Sequence, residues 1–118
     1  MIKFFVLTVL CCLCYSCNIV DDDKQLWQSD VNGCKGVRTN KLGEKLVSDN
    51  HLKGADKDKF AKIFGTPDRL LNYGGKHILI YLFNCTCAGG EPVAENDKCY
   101  AEYTFIDNKL VSQSYICE

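Results

Sequence analysis

The stretch CYAEYTFIDNKLVSQSYIC, residues 99–117, decides the fold. Aromatic and β-branched residues alternate with polar ones on both sides of Asp107-Asn108-Lys109, which is the signature of a hairpin. The spacing predicts strands over 99–106 and 110–117. A three-residue loop at 107–109 sets Ile106 opposite Leu110, Phe105 opposite Val111, Tyr103 opposite Gln113 and Cys99 opposite Cys117. A two-residue turn would place apolar residues and Ser112 and Ser114 on the same face. Side chains alternate strictly along a strand, so register decides which face is apolar.

Upstream lie a short strand at 69–73, a tight turn at Gly74-Gly75, a long strand at 77–87, and a loop at 88–97 carrying Gly89-Gly90 and Pro92. If Cys87 sits opposite Cys99, Tyr81 faces Phe105 and Phe83 faces Tyr103. The odd-numbered residues of these strands, with Tyr81, Phe83, Tyr103 and Phe105 at the centre, then form the core face. The opposite face carries serines and threonines together with an apolar stripe at Ile78, Ile80 and Leu82.

Before the strands come helical patterns. Trp27, Val31, Cys34, Leu42 and Leu46 fall on one helical stripe between residues 24 and 50, with Arg38 filling the gap. Gly33 and Gly36 weaken its middle by about 1 kcal/mol each, so the helix breaks there or something packs close to its backbone. A second helix is expected from Lys57 to Phe64, with Asp56 as N-cap, Phe60, Ile63 and Phe64 buried, and Gly65 and Pro67 ending it. The expectation is an α+β domain with two N-terminal helices packed on one face of a four-stranded antiparallel meander.

The chain has 118 residues, 47% hydrophobic and 25% charged, which fits one domain. Its formal net charge of −1 offers no electrostatic footprint for nucleic acid. Phe4 to Leu13 is an apolar run behind Lys3. Ten helical residues rise about 15 Å, half the bilayer core, so a secretory signal over 1–16 is expected rather than a membrane span. The segment Leu13-Cys14-Tyr15-Ser16-Cys17 resembles a bacterial lipoprotein box. That resemblance implies lipidation of Cys17, then an acidic tether to residue 23 and one domain over 24–118. The acidic run Asp21-Asp22-Asp23 looks like the surface-export signals of Bacteroidetes lipoproteins. An ordinary secretory signal cut after Ser16 gives the same mature end.

Nine cysteines in 118 residues point to an oxidising compartment. Beyond Cys17 five remain: Cys34, Cys85, Cys87, Cys99 and Cys117. The register above puts the four strand cysteines on one face and one end. It favours a Cys87–Cys99 bridge, with Cys34 joined to Cys117 or Cys85 and one thiol left over. A zinc site from the four strand cysteines would lack the usual Cys-x₂-Cys knuckles, and no metal or cofactor is expected. His51 and His77 stand in no nucleophile setting, and neither the acids of the 88–97 loop nor Gly89-Gly90 matches a calcium or phosphate motif. No enzymatic activity is expected.

The segment GADKDKFAKIFGTPD, residues 54–68, resembles the helix-and-turn element of small bacterial envelope lipoproteins with a β-lactamase-inhibitor-protein-like fold. These include an accessory lipoprotein of the outer-membrane β-barrel assembly machinery. Ala55 and Lys59 depart from that element, where Met and Glu are usual. The pattern Trp27-x-x-Asp30-x-x-Gly33-Cys34-x-Gly36-x-Arg38, with Cys87 and Cys99, is more similar to uncharacterised Bacteroidetes lipoproteins. The resemblance implies a non-enzymatic, lipid-anchored protein of the outer membrane or cell surface that binds an envelope protein. The expected partner surface is Ile78, Ile80 and Leu82. The alternative is a secreted inhibitor or effector acting through the 88–97 loop.

Overall fold

The computed structural model describes residues 22–93 and 98–118. Cys17, the signal and most of the tether lie outside them, as do Glu95 and Asp97. The chain is α+β. Helices α1 (Asp22–Ser29), α2 (Asn40–Asp49) and α3 (Lys57–Phe64) precede strands β1 (Arg69–Tyr73), β2 (Lys76–Phe83), β3 (Cys87–Ala88), β4 (Glu91–Pro92), β5 (Cys99–Ile106) and β6 (Lys109–Cys117). β1, β2, β5 and β6 form one antiparallel sheet in that order, and β3 pairs only with β4. Among the described residues no helix is long and apolar enough to cross a membrane.

The expected stripe over 24–50 is two helices. Asp22 and Asp23, expected in the tether, open α1. The break falls at a 3₁₀ turn, Val31–Gly33, where Asn32 and Gly33 have φ of 59° and 67°. Gly33 is also pressed against β2, so that a Cβ there would lie 2.5 Å from the Phe83 Cα. The helix therefore breaks at the same glycine that lets another backbone approach. Thr39 caps α2 by accepting from the Leu42 N–H at 3.0 Å. α3 has the expected bounds, with Asp56 accepting from the Lys59 N–H at 2.8 Å and Gly65 at φ 75° closing it.

Trp27, Phe60 and Phe64 of the helices meet Tyr81 and Tyr103 of the sheet with ring centroids 4.7–6.5 Å apart. Leu46, Val47, Leu79, Phe83, Ala101 and Phe105 complete this core. Such offset and edge-to-face aromatic pairs add about 0.5–1.5 kcal/mol each beyond the area they bury.

The β5–β6 register agrees with expectation at Cys99↔Cys117 and Tyr103↔Gln113 and departs from it at the turn. Asp107 and Asn108 both have positive φ, giving a two-residue turn that pairs Ile106 with Lys109 and Phe105 with Leu110. A bulge at Val111 absorbs the extra residue and restores the pairing beyond it. It also exchanges two side chains: Leu110 enters the core, and Val111 faces out.

The β2–β5 register is displaced by four residues from the expected one, so Phe83 rather than Cys87 lies opposite Cys99. An even displacement leaves every side chain on its expected face but changes the cysteine geometry. β2 ends at Phe83, Asn84 turns with φ 53°, and Cys87 departs into the β3–β4 hairpin. A Cys87–Cys99 bridge is thereby excluded. The bonds are Cys34–Cys87 and Cys99–Cys117, and Cys85 is free. Their sequence separations of 53 and 18 correspond to roughly 3–4 kcal/mol of loop-closure stabilisation each.

Candidate functional site

The residues that first drew functional interest turn out to hold the fold together. β1 begins at Arg69, opposite Ile80, so it does not flank the last residues of β2. Two side chains take its place there. Asp68 accepts from the Leu82 N–H at 2.8 Å, and Arg38 Nη1 donates to the Leu82 carbonyl at 3.1 Å and to the Asp68 carboxylate at 2.7 Å. Arg38 Nε donates to the Trp27 carbonyl at 2.8 Å, and the guanidinium lies 5.3 and 5.4 Å from the Trp27 and Tyr81 ring centroids. Asp30, fully buried, accepts from the N–H groups of Lys35, Val37 and Arg38 at 2.7–2.8 Å. Each charged side chain of the cluster thus has partners, which is the condition for burying charge; the buried Trp27 Nε1–H beside them has none among the described residues. The pattern from Trp27 to Arg38 is therefore a device that finishes an incomplete sheet edge.

The stripe proposed as a partner surface is corrected by the same arrangement. Ile80 and Leu82 are 6% and 1% exposed, and only Ile78 keeps partial access. The 30–38 segment wraps the Leu82 end of β2. Ile80 is flanked on its own face by the long side chains of Arg69 and Glu102.

Cys85 lies half-buried near both disulfides. Burial pushes its thiol pKa up, against smaller opposing effects from the Cys99 backbone and Lys98. That is the opposite of what a nucleophilic cysteine needs. A four-thiolate zinc set would require reduction of both disulfides.

A candidate binding concavity lies elsewhere. A groove of about 610 Å³ runs between α2 and the outer edge of β6. Glu44, Val47, Ser48 and His51 line one wall at helical spacing; Leu110, Val111, Ser112 and Gln113 line the other, with Lys53 at one end. Gly43 sets the distance between the walls, because a Cβ there would lie 2.7–2.8 Å from the hydroxyls of Tyr103 and Tyr115. Those hydroxyls are 2.9 Å apart, and Tyr115 donates to Gln113 Oε1 at 2.7 Å. Burial raises the Tyr115 pKa to about 12, so it remains a neutral donor.

The groove has polarity. Glu44 lies near Tyr115, whose pKa its charge helps to raise. Lys53 and His51 lie toward Leu110, whose N–H and carbonyl already bond to Ala55 and Gly54. The alternation of an antiparallel ladder decides which β6 groups face outward. Glu118 N–H donates to the Lys98 carbonyl at 3.0 Å, making Cys99↔Cys117 a pair that exchanges no hydrogen bonds. Counting back, the backbone N–H and carbonyl groups of Gln113 and Tyr115 point away from β5 toward solvent.

Sequence reasoning missed this groove. Nothing local to Glu44, Ser48 and His51 shows that their helix face lies beside a free strand edge. No known protein family, curated protein or solved structure matches the chain.

Proposed function

We propose that this is a non-enzymatic, exported protein of the cell envelope, lipid-anchored at Cys17, that binds an extended segment of another envelope protein in the α2–β6 groove. The observation that carries the reading is the pairing of outward backbone groups at Gln113 and Tyr115 with a shaped wall on α2. A strand laid there gains backbone hydrogen bonds from β6 and side-chain selectivity from the groove. Running antiparallel to β6, it would meet Glu44 first and His51 and Lys53 last. The favoured segment therefore carries a basic residue, then apolar ones, then an acid. Two disulfides in one small domain agree with an oxidising compartment.

The secreted-effector alternative draws on the β3–β4 hairpin, which Cys34–Cys87 staples beside an exposed Val93. Two variants separate the readings. Ser48→Arg fills the groove from an exposed position and should abolish photo-crosslinking from a probe at Gln113 to an envelope protein, with thermal stability unchanged. Retained crosslinking removes the groove from consideration. Cys17→Ser should release the protein from membranes, since the anchor reading rests on acylation there. A variant that still sediments with them overturns the anchor.

A further inference from the structure

The two edges of the sheet are unlike. β6 has a bulge at Val111, Lys109 at its start, residues 54–55 bonded along its outer side at Leu110, and α2 beside it. Over the Lys109–Ser112 end these devices stop the edge from pairing, which leaves only the short stretch at Gln113 and Tyr115 open to the segment proposed above. β1 has none of them. All five of its residues, Arg69-Leu70-Leu71-Asn72-Tyr73, are exposed, with Leu71 at 40% and Tyr73 at 61%. It holds no proline, lysine or bulge, and its β2 pairing is regular throughout.

We infer that β1 is a self-association edge, pairing antiparallel with β1 of a second copy about a twofold axis through Leu71. The ladder decides this register. Gly74 and Gly75, both at positive φ, form a two-residue turn that makes Tyr73↔Lys76 a hydrogen-bonded pair. Alternation then turns Leu71 toward β2 and leaves the backbone N–H and carbonyl groups of Leu70 and Asn72 facing outward. A twofold through Leu71 pairs Leu70 with Asn72 of the second copy, and Asn72 with its Leu70. All four outward N–H groups thereby find carbonyls. Leu71 meets itself across the axis on the face it shares with Ile78. Arg69 falls opposite Tyr73 of the other copy, twice, a guanidinium against an aromatic ring. The strand carries no like-charge contact in this register and opposes no acid to itself. The result is a continuous eight-stranded sheet, and a twofold contact closes rather than propagating.

The test uses the full chain, expressed with its own N-terminal segment and purified in mild detergent. Sedimentation velocity should show a monomer–dimer equilibrium. Leu71→Lys, which sets two ammonium groups against each other at the axis, should weaken association about tenfold or more. Melting temperature should not change, because Leu71 is exposed. In a Cys85→Ser background, Leu71→Cys should oxidise to a dimer linked through position 71. Leu70→Cys should give little, since that position faces Asn72 rather than itself. A chain that stays monomeric to about 1 mM overturns the inference. So does equal crosslinking from positions 70 and 71, or crosslinking of position 71 only to a different protein.

Discussion

Arg38 is the side chain on which most of the unusual geometry converges, and its replacement by Met is the sharpest test of the fold. Arg38→Met keeps much of the aliphatic volume between Trp27 and Tyr81 but removes three donated hydrogen bonds, to Trp27, Asp68 and Leu82. It leaves the Asp68 carboxylate, 4% exposed, without its cation. Breaking a buried pair from one side costs roughly 3–5 kcal/mol, against a total stability of about 5–15 kcal/mol for a domain of this kind. At about 4–8 °C per kcal/mol for so small a domain, the melting temperature should fall by roughly 12–40 °C. Urea unfolding and thermal circular dichroism on the oxidised protein give both numbers. Adding Asp68→Asn should recover part of the loss, because the unpaired charge is removed while an amide oxygen can still accept from Leu82. Arg38→Lys should fall between, since an ammonium cannot reproduce the planar fork. A loss below about 1 kcal/mol, or strictly additive effects at positions 38 and 68, would refute the account of a paired cluster completing the sheet edge.

Other outcomes follow from the same structure. Ile80→Glu should destabilise the protein by about 3 kcal/mol or more, as a charge placed at a 6% exposed position does; a melting temperature within 2–3 °C of the parent (roughly 0.5 kcal/mol) would contradict its burial. Non-reducing peptide mapping should recover Cys34 linked to Cys87 and Cys99 linked to Cys117, with Cys85 alkylated only slowly; a Cys87–Cys99 peptide would show that the β2–β5 register is wrong. Gly33→Ala should be severely destabilising in urea titration, because its φ is 67° and the added carbon meets the Phe83 backbone. Alkali should also unfold the protein. Burial raises Tyr81 and Tyr103 above their usual range and Tyr115 to about 12. The unfolded chain releases these protons near pH 10 and the folded one later, so stability is whole below about 10 and falls as pH rises toward and past 12. Stability that is flat from pH 9 to 12 would argue against the buried tyrosine cluster.

Legibility in the sequence followed the range of the physics involved. α3 was readable to the residue because its cap, stripe and stop are local. The faces of β2 and β5 were readable because alternation survives any even displacement in register. The disulfide pairing was not, because it depends on where β2 ends, and that is set by Asn84 and by the 30–38 segment arriving from far upstream. The turn at Asp107-Asn108 was misread because counting apolar residues on a face cannot anticipate a bulge that exchanges Leu110 with Val111. The apolar stripe Ile78, Ile80, Leu82 looked open for a related reason: an arginine and an aspartate, thirty residues apart in sequence, complete the strand edge beside it.

The Cys34–Cys87 bond also bears on how the protein behaves under tension. A pull on the N-terminus would first peel α1 and the 3₁₀ turn from the sheet. It would then reach Cys34, where the load passes through the covalent bond to Cys87, beyond the end of β2. The intervening segment, which holds α2, α3, β1 and β2, is enclosed between the two bonded residues and cannot be drawn out in line. Extension from that end therefore takes the residues before Cys34, Trp27 of the core among them, and then passes over the enclosed segment to the chain beyond Cys87, unless the bond is reduced.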